Sequence, residues 1–149
     1  MSRRLRRRLW IALGVLVFLG ISFELARWLS LENVERQKVM ALLAAEAHGS
    51  RSAILADLHD CTPICQANVR FDSAHLKRPG KVQILAYTSP TSYSLTASSG
   101  LTRVAWKSSL QVLPVVQCVT VARTGNVISG LTITLLRVSR PLHPTTADC

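Results

Sequence analysis

The chain has 149 residues, 48 % of them apolar, and a formal net charge of +10. That length suits one domain of roughly 100–150 residues plus a short extra element, and the apolar fraction is enough for a packed core. Five of the 18 Lys and Arg residues lie in the first eight positions, so half of the net charge belongs to the N-terminal end. The rest offers no basic stripe interleaved with aromatics, which argues against a nucleic-acid partner.

The opening stretch, MSRRLRRRLWIALGVLVFLGISFELARWLS, has three parts. Arg3, Arg4, Arg6, Arg7 and Arg8 form a basic cluster; residues 9–23 are unbroken and uncharged; Glu24 and Arg27 then appear among apolar neighbours. Continued to residue 29, the apolar segment reaches the length of about 20 residues that a membrane-spanning helix needs. Trp10 and Trp28 stand at its two ends, separated by about 27 Å along a helix, close to the hydrocarbon thickness of a bilayer. The pattern predicts a transmembrane helix over 9–29, with the lipid bilayer as partner. The arginine cluster, as a cytoplasmic basic tail over 1–8, would leave 30–149 as an extracytoplasmic domain. A cleaved signal peptide would need a small-x-small cleavage pattern, which SFELARW lacks. Twin-arginine export is weakly signalled, because Arg6 stands where that motif favours an apolar aromatic.

Topology decides how HDCTPICQ, residues 59–66, is read. In an oxidising compartment, Cys61, Cys65, Cys118 and Cys149 make an even set outside the apolar segment. Four cysteines allow three pairings; Cys61–Cys65 with Cys118–Cys149 is favoured, because Thr62-Pro63 reads as a helix start that places Cys65 in the first turn. The alternatives are a metal site using His59, Asp60, Cys61 and Cys65, or labile redox thiols. Zinc sites favour two well-separated close pairs, and a redox motif favours Cys-x-x-Cys, so a structural staple is preferred.

Beyond the apolar segment, residues 31–48 carry Val34, Val39, Leu42 and Leu43 at helical spacing, with Glu35, Arg36, Lys38 and Glu46 assigned to the other faces. Gly49 ends this helix and Ser50 caps a second through residue 58; a third runs over 63–76. From residue 81 the texture turns β-branched. Strands are predicted at 82–87, 92–97, 101–107, 113–123 and 128–139, with turns at 98–100 and at Thr124-Gly125-Asn126. Thr102, Val104 and Trp106 share one face of their strand. In the last strand, apolar residues at 131, 133 and 135, and Leu136 opposite, suggest cover on both sides. Helices followed by antiparallel strands give an α+β fold: two or three helices packed on a curved sheet of about five strands.

This order resembles the cone-shaped nuclear-transport-factor-two-like (ketosteroid-isomerase-like, cystatin-like) domain. The residues that carry the likeness are VMALLAAEAHGSRSAILADL and the closing hairpin LPVVQCVTVARTGNVISGLTITLLRV. An anchor followed by such a cone is similar to Mce-associated membrane proteins and to single-pass proteins of high-GC Gram-positive bacteria. The resemblance implies a non-enzymatic accessory or ligand-cup domain of the cell envelope with an envelope protein partner. It brings no cofactor and no catalytic residues, since neither Tyr87, Tyr93 nor any aspartate aligns onto that superfamily's Tyr/Asp constellation.

Other chemistry is sparse. Asp57 and Asp60 read as a solvated helix end rather than an acid–base pair, and His48, His59, His75 and His143 are scattered. No Gly-x-Ser-x-Gly elbow and no Gly-rich phosphate loop occurs. Trp106 is a candidate ligand or partner contact, with a core position as its commoner role. Arg70, Lys77, Arg78 and Lys81 cluster around a Pro-Gly turn, where they could meet anionic headgroups or wall polymers. The resulting expectation is a membrane-anchored binding or assembly domain without catalysis. Two alternatives stand beside it: a carrier of a small lipid-like ligand or an envelope enzyme with an interior pocket, and a pilin-like subunit. The last is disfavoured by the missing prepilin glycine before the apolar run.

Overall fold

A computed structural model describes residues 3–78, 80–90, 98–126, 130–143 and 149, except for the side chains of 3–5, 27–32, 126, 130 and 131. The chain divides into two compact units, Met1–Asn33 and Val34–Cys149.

Helix α1, Arg3–His48, supplies the whole described part of the first unit and continues into the second. Its segment Arg6–Ala26 is 21 residues long, apolar enough to cross a membrane, and not buried within the protein. The helix forms because leucine and other good helix formers dominate and proline is absent; Gly14 and Gly20 cost about 1 kcal/mol each. Trp10, Phe18 and Phe23 are all exposed on it. The side chains of Arg3, Arg4 and Trp28 lie outside the described set.

In the second unit α1 ends at Gly49, whose φ of 70° suits the left-handed turn that stops a helix. The Gly49 and Ser50 amides donate to the Glu46 and Ala45 carbonyls. Ser50 then caps α2, Arg51–Asp57, by accepting from the Ala53 amide. Thr62 caps α3, Pro63–His75, with Pro63 in the first turn. Four antiparallel strands follow: β1 Val82–Thr88, β2 Ser98–Ser108, β3 Val115–Asn126 and β4 Gly130–Val138, each paired with the next in chain order. Register shifts between Ile84 and Ala86 and between Thr120 and Val121 interrupt the ladders, the kind of irregularity that bends a sheet. Leu58 bridges Leu135, and the His59 amide donates to the Leu135 carbonyl, so the chain leaving α2 covers part of the β4 edge.

The α+β class and the order of elements follow the sequence reading, with four strands among the described residues. The strand expected at 92–97 lies outside them. Two turns are corrected. Residues 98–100, expected as a turn, belong to β2 and pair with Arg123, Ala122 and Val121. Thr124, Gly125 and Asn126, expected as a turn, belong to β3 and pair with Thr132, Leu131 and Gly130. Register explains this: Val119 and Val121 must share the core face with Ile133 and Leu135, and that demand outranks the local turn preference of Gly125-Asn126. The last strand is also less covered than expected: Thr132 is exposed, Thr134 and Leu136 are half-buried, and Ile133 and Leu135 face the core.

The core lies between the inner sheet face and the helices. Val39, Leu42 and Leu43 of α1, Ile54 of α2 and Val69 of α3 pack there with Val104, Trp106, Val119 and Val121. Glu35 and Glu46, expected on the polar side of α1, are instead fully buried. Positions 35, 39, 42 and 46 step by four, three and four, so they lie along one helix face.

Candidate functional site

Two buried polar clusters come from that α1 face. At its N-terminal end, Glu35 faces β1, β2 and β3. The Arg123 guanidinium donates to Glu35 Oε2 from Nη2 at 2.6 Å and from Nε at 3.1 Å. Tyr87 and Ser89 hydroxyls donate to Oε1 at 2.5 and 2.6 Å, and Thr102 adds a longer bond at 3.3 Å. Both Arg123 and Glu35 side chains have no exposed surface. Burial alone would push the Glu35 carboxyl up; the bonds from Ser89, Tyr87 and Arg123 and the arginine charge outweigh it and hold it below its usual value. Burial and the Glu35 carboxylate raise the Tyr87 phenol, so it stays protonated as a donor. Such a saturated carboxylate is a poor general base. Its chemistry is that of an internal tie between helix and sheet.

The second cluster is unsaturated. Glu46 of α1 and Asp72 of α3 are both fully buried, and among the described residues none of their four carboxyl oxygens has a partner at hydrogen-bond geometry, the Gln117 amide being the polar group beside Glu46. Burial raises Glu46 well above its ordinary value; the Asp72 charge adds to this, and the Gln117 amide opposes it. Burial raises Asp72 to about 7, against the pull of Arg140. Gln117 is itself committed, accepting from Trp106 Nε1 at 2.7 Å and donating to the Ser139 carbonyl at 3.2 Å. Reading the sequence missed this pair, although the spacing of Cys65, Val69, Asp72 and Leu76 places Asp72 on the buried face of α3.

Trp106 has no exposed surface. Its possible role as a ligand or partner contact is therefore corrected: it is a core residue whose indole N–H is used internally. The basic cluster expected around the Pro-Gly turn is divided. Lys77, Arg78 and Lys81 are exposed in the connection between α3 and β1, where the Arg78 amide donates to Ala47 O and Lys81 pairs with Ser109 through two bonds. Arg70 lies on α3 and joins Arg51, His75 and Arg140 around an open cleft of 530 Å³. A smaller cleft of 270 Å³ includes Lys38, Asp57 and His59, and a third of 480 Å³ runs past both disulfides.

The disulfides are Cys61–Cys65, with Cα atoms 5.3 Å apart, and Cys118–Cys149, 5.8 Å apart. Cys61 and Cys65 thus offer no thiolate to a metal, and His59 and Asp60 beside them are exposed, 4.0 Å apart. At the β2–β3 turn, Leu110, Val112 and Leu113 are 75 %, 90 % and 74 % exposed, an apolar tip beside Gly80 and Lys81. Comparison with protein-family models, with curated proteins and with solved structures gave no match.

Proposed function

We propose that the protein is a single-pass, membrane-anchored domain of the cell envelope that acts outside the cytoplasm by binding and assembly rather than by catalysis. The observation that carries this reading is the pairing, in one chain, of an unburied 21-residue apolar helix with a domain whose four cysteines are all joined in disulfides. The arginines at the N-terminal end of the helix favour a cytoplasmic N-terminus, and the disulfides favour an oxidising space for residues 34–149. Binding is preferred over catalysis because the interior next to the sheet is occupied by Trp106 and the Glu35–Arg123 network, while apolar side chains project at the Leu110–Leu113 tip. The cone-domain likeness belongs to the same proposal, supported by helices that precede one interrupted antiparallel sheet.

The test is protease protection of an epitope after Cys149 in intact cells stripped to the anchoring membrane, with thiol labelling of the same material. A cleavable epitope and four unreactive sulfurs are expected. A protected epitope, or free thiols, overturns the reading. For the assembly role, a photo-crosslinker at Val112 should trap an envelope protein that a crosslinker at exposed Thr88 does not; equal capture at both positions would refute it.

A further inference from the structure

Three arginines converge on one cleft without an acid among its lining residues. Arg51 comes from α2, Arg70 from α3 and Arg140 from the segment after β4, with Gln66 and His75 beside them. Among the described residues, none of the three arginines has a carboxylate within 4.0 Å; the two ion pairs of this set are Arg123–Glu35 and His59–Asp60. The acid nearest to this set is Asp72 of α3, which feels the Arg140 charge but is fully buried and does not line the cleft. Like charges gathered in one trough repel each other, and a bound anion relieves that repulsion.

Arg140 is positioned before any ligand arrives. Its Nε donates to Asn68 Oδ1 at 3.2 Å, and the Asn68 amide donates to the Val138 carbonyl at 3.3 Å. The guanidinium carbon rests 4.8 Å from the centre of the Phe71 ring. With Nε committed, the two terminal nitrogens form a fork that matches two oxygens of an oxyanion. His75 stacks on the same Phe71 at 4.1 Å, and its Nδ1 donates to the Phe71 carbonyl. Phe71 thus fixes two of the groups that line the cleft.

We propose that this cleft binds a phosphate-bearing ligand, with Arg51, Arg70 and Arg140 as its grip. A carboxylate has two oxygens and one charge and would satisfy a single guanidinium fork. Three forks match a tetrahedral oxyanion with more oxygens and close to two charges. A volume of 530 Å³ exceeds what one phosphate fills, so a phosphate ester or diphosphate carrying a small polar substituent fits better than the free ion. The site does not depend on the anchor or its orientation. A soluble phosphate ester and a phospholipid headgroup present the same chemistry.

The full-length chain, held in phosphatidylcholine nanodiscs, is titrated with pyrophosphate and with glycerol 3-phosphate by calorimetry. Binding is expected with both probes, weakening as salt rises. Arg140→Gln should weaken it roughly tenfold or more, the scale of a lost charged hydrogen bond. Arg137→Gln, an exposed arginine on β4 outside this cleft, should leave it within about twofold. Nanodiscs that also contain phosphatidic acid separate the sources: lost pyrophosphate binding assigns a headgroup, and unchanged binding assigns a soluble ester. No heat with either probe at millimolar concentration, or an equal loss in Arg137→Gln and Arg140→Gln, overturns the proposal. Thermal unfolding of both variants checks that these exposed substitutions leave the fold intact.

Discussion

Asp72→Asn should stabilise the protein in alkali relative to acid. The wild-type carboxyl is fully buried, has no hydrogen bond among the described residues, and is pushed up to about 7 from a usual 3.8. Between those values the folded chain keeps a proton that the unfolded chain releases, so stability falls as pH rises through this window. Each pH unit is worth about 1.4 kcal/mol per proton, which makes the loss between pH 5 and pH 8 about 2–3 kcal/mol for this one group. Glu46 adds to the slope in the same direction, because burial and the Asp72 charge raise it too. Asparagine keeps the shape and removes the titration. Its amide still lacks partners, at a cost of about 1–3 kcal/mol that does not vary with pH. The variant should therefore be equal to or weaker than wild type at pH 5 and gain about 2–3 kcal/mol on it by pH 8. The assay is guanidinium unfolding of the full chain in detergent, followed by Trp106 fluorescence after Trp10 and Trp28 are changed to Phe. A stability difference that is the same at both pH values would refute the buried-acid account.

The other buried carboxylate behaves oppositely, because it is paired. Arg123→Met should cost about 3–5 kcal/mol in the same unfolding assay by stranding Glu35, and adding Glu35→Leu should recover most of that. Recovery of nothing would mean that the pair does not couple. Cys149→Ala opens a disulfide with a sequence separation of 31 and should lower stability by about 3–4 kcal/mol; reduction should then destabilise wild type but hardly affect a variant that lacks both pairs. Trp106→Phe leaves Gln117 Oε1 without its donor and should cost about 1–3 kcal/mol in chemical denaturation, more than the loss of ring area alone.

The sequence by itself determined the local matters. Uncharged, apolar and proline-free, residues 9–23 favour helix; Gly49, Ser50, Thr62 and Pro63 place the helix boundaries; β-branched texture places four strands, though not their ends. These follow from backbone sterics and side-chain periodicity, which act over a few neighbours. The exact reversal between β3 and β4 was not legible, because the pairing of Val119 and Val121 with β4 decides it across the sheet. The burial of Glu35 and Glu46 was half legible. Their spacing with Val39 and Leu42 puts them on the core face, but helical period alone does not say that Arg123 waits opposite one of them and Asp72 opposite the other. Arg51, Arg70 and Arg140 are far apart in the chain, and only the packing of α2, α3 and the segment after β4 brings them to one cleft. Charge partners and clefts are set by contacts distant in sequence, and those exist only once the chain has folded.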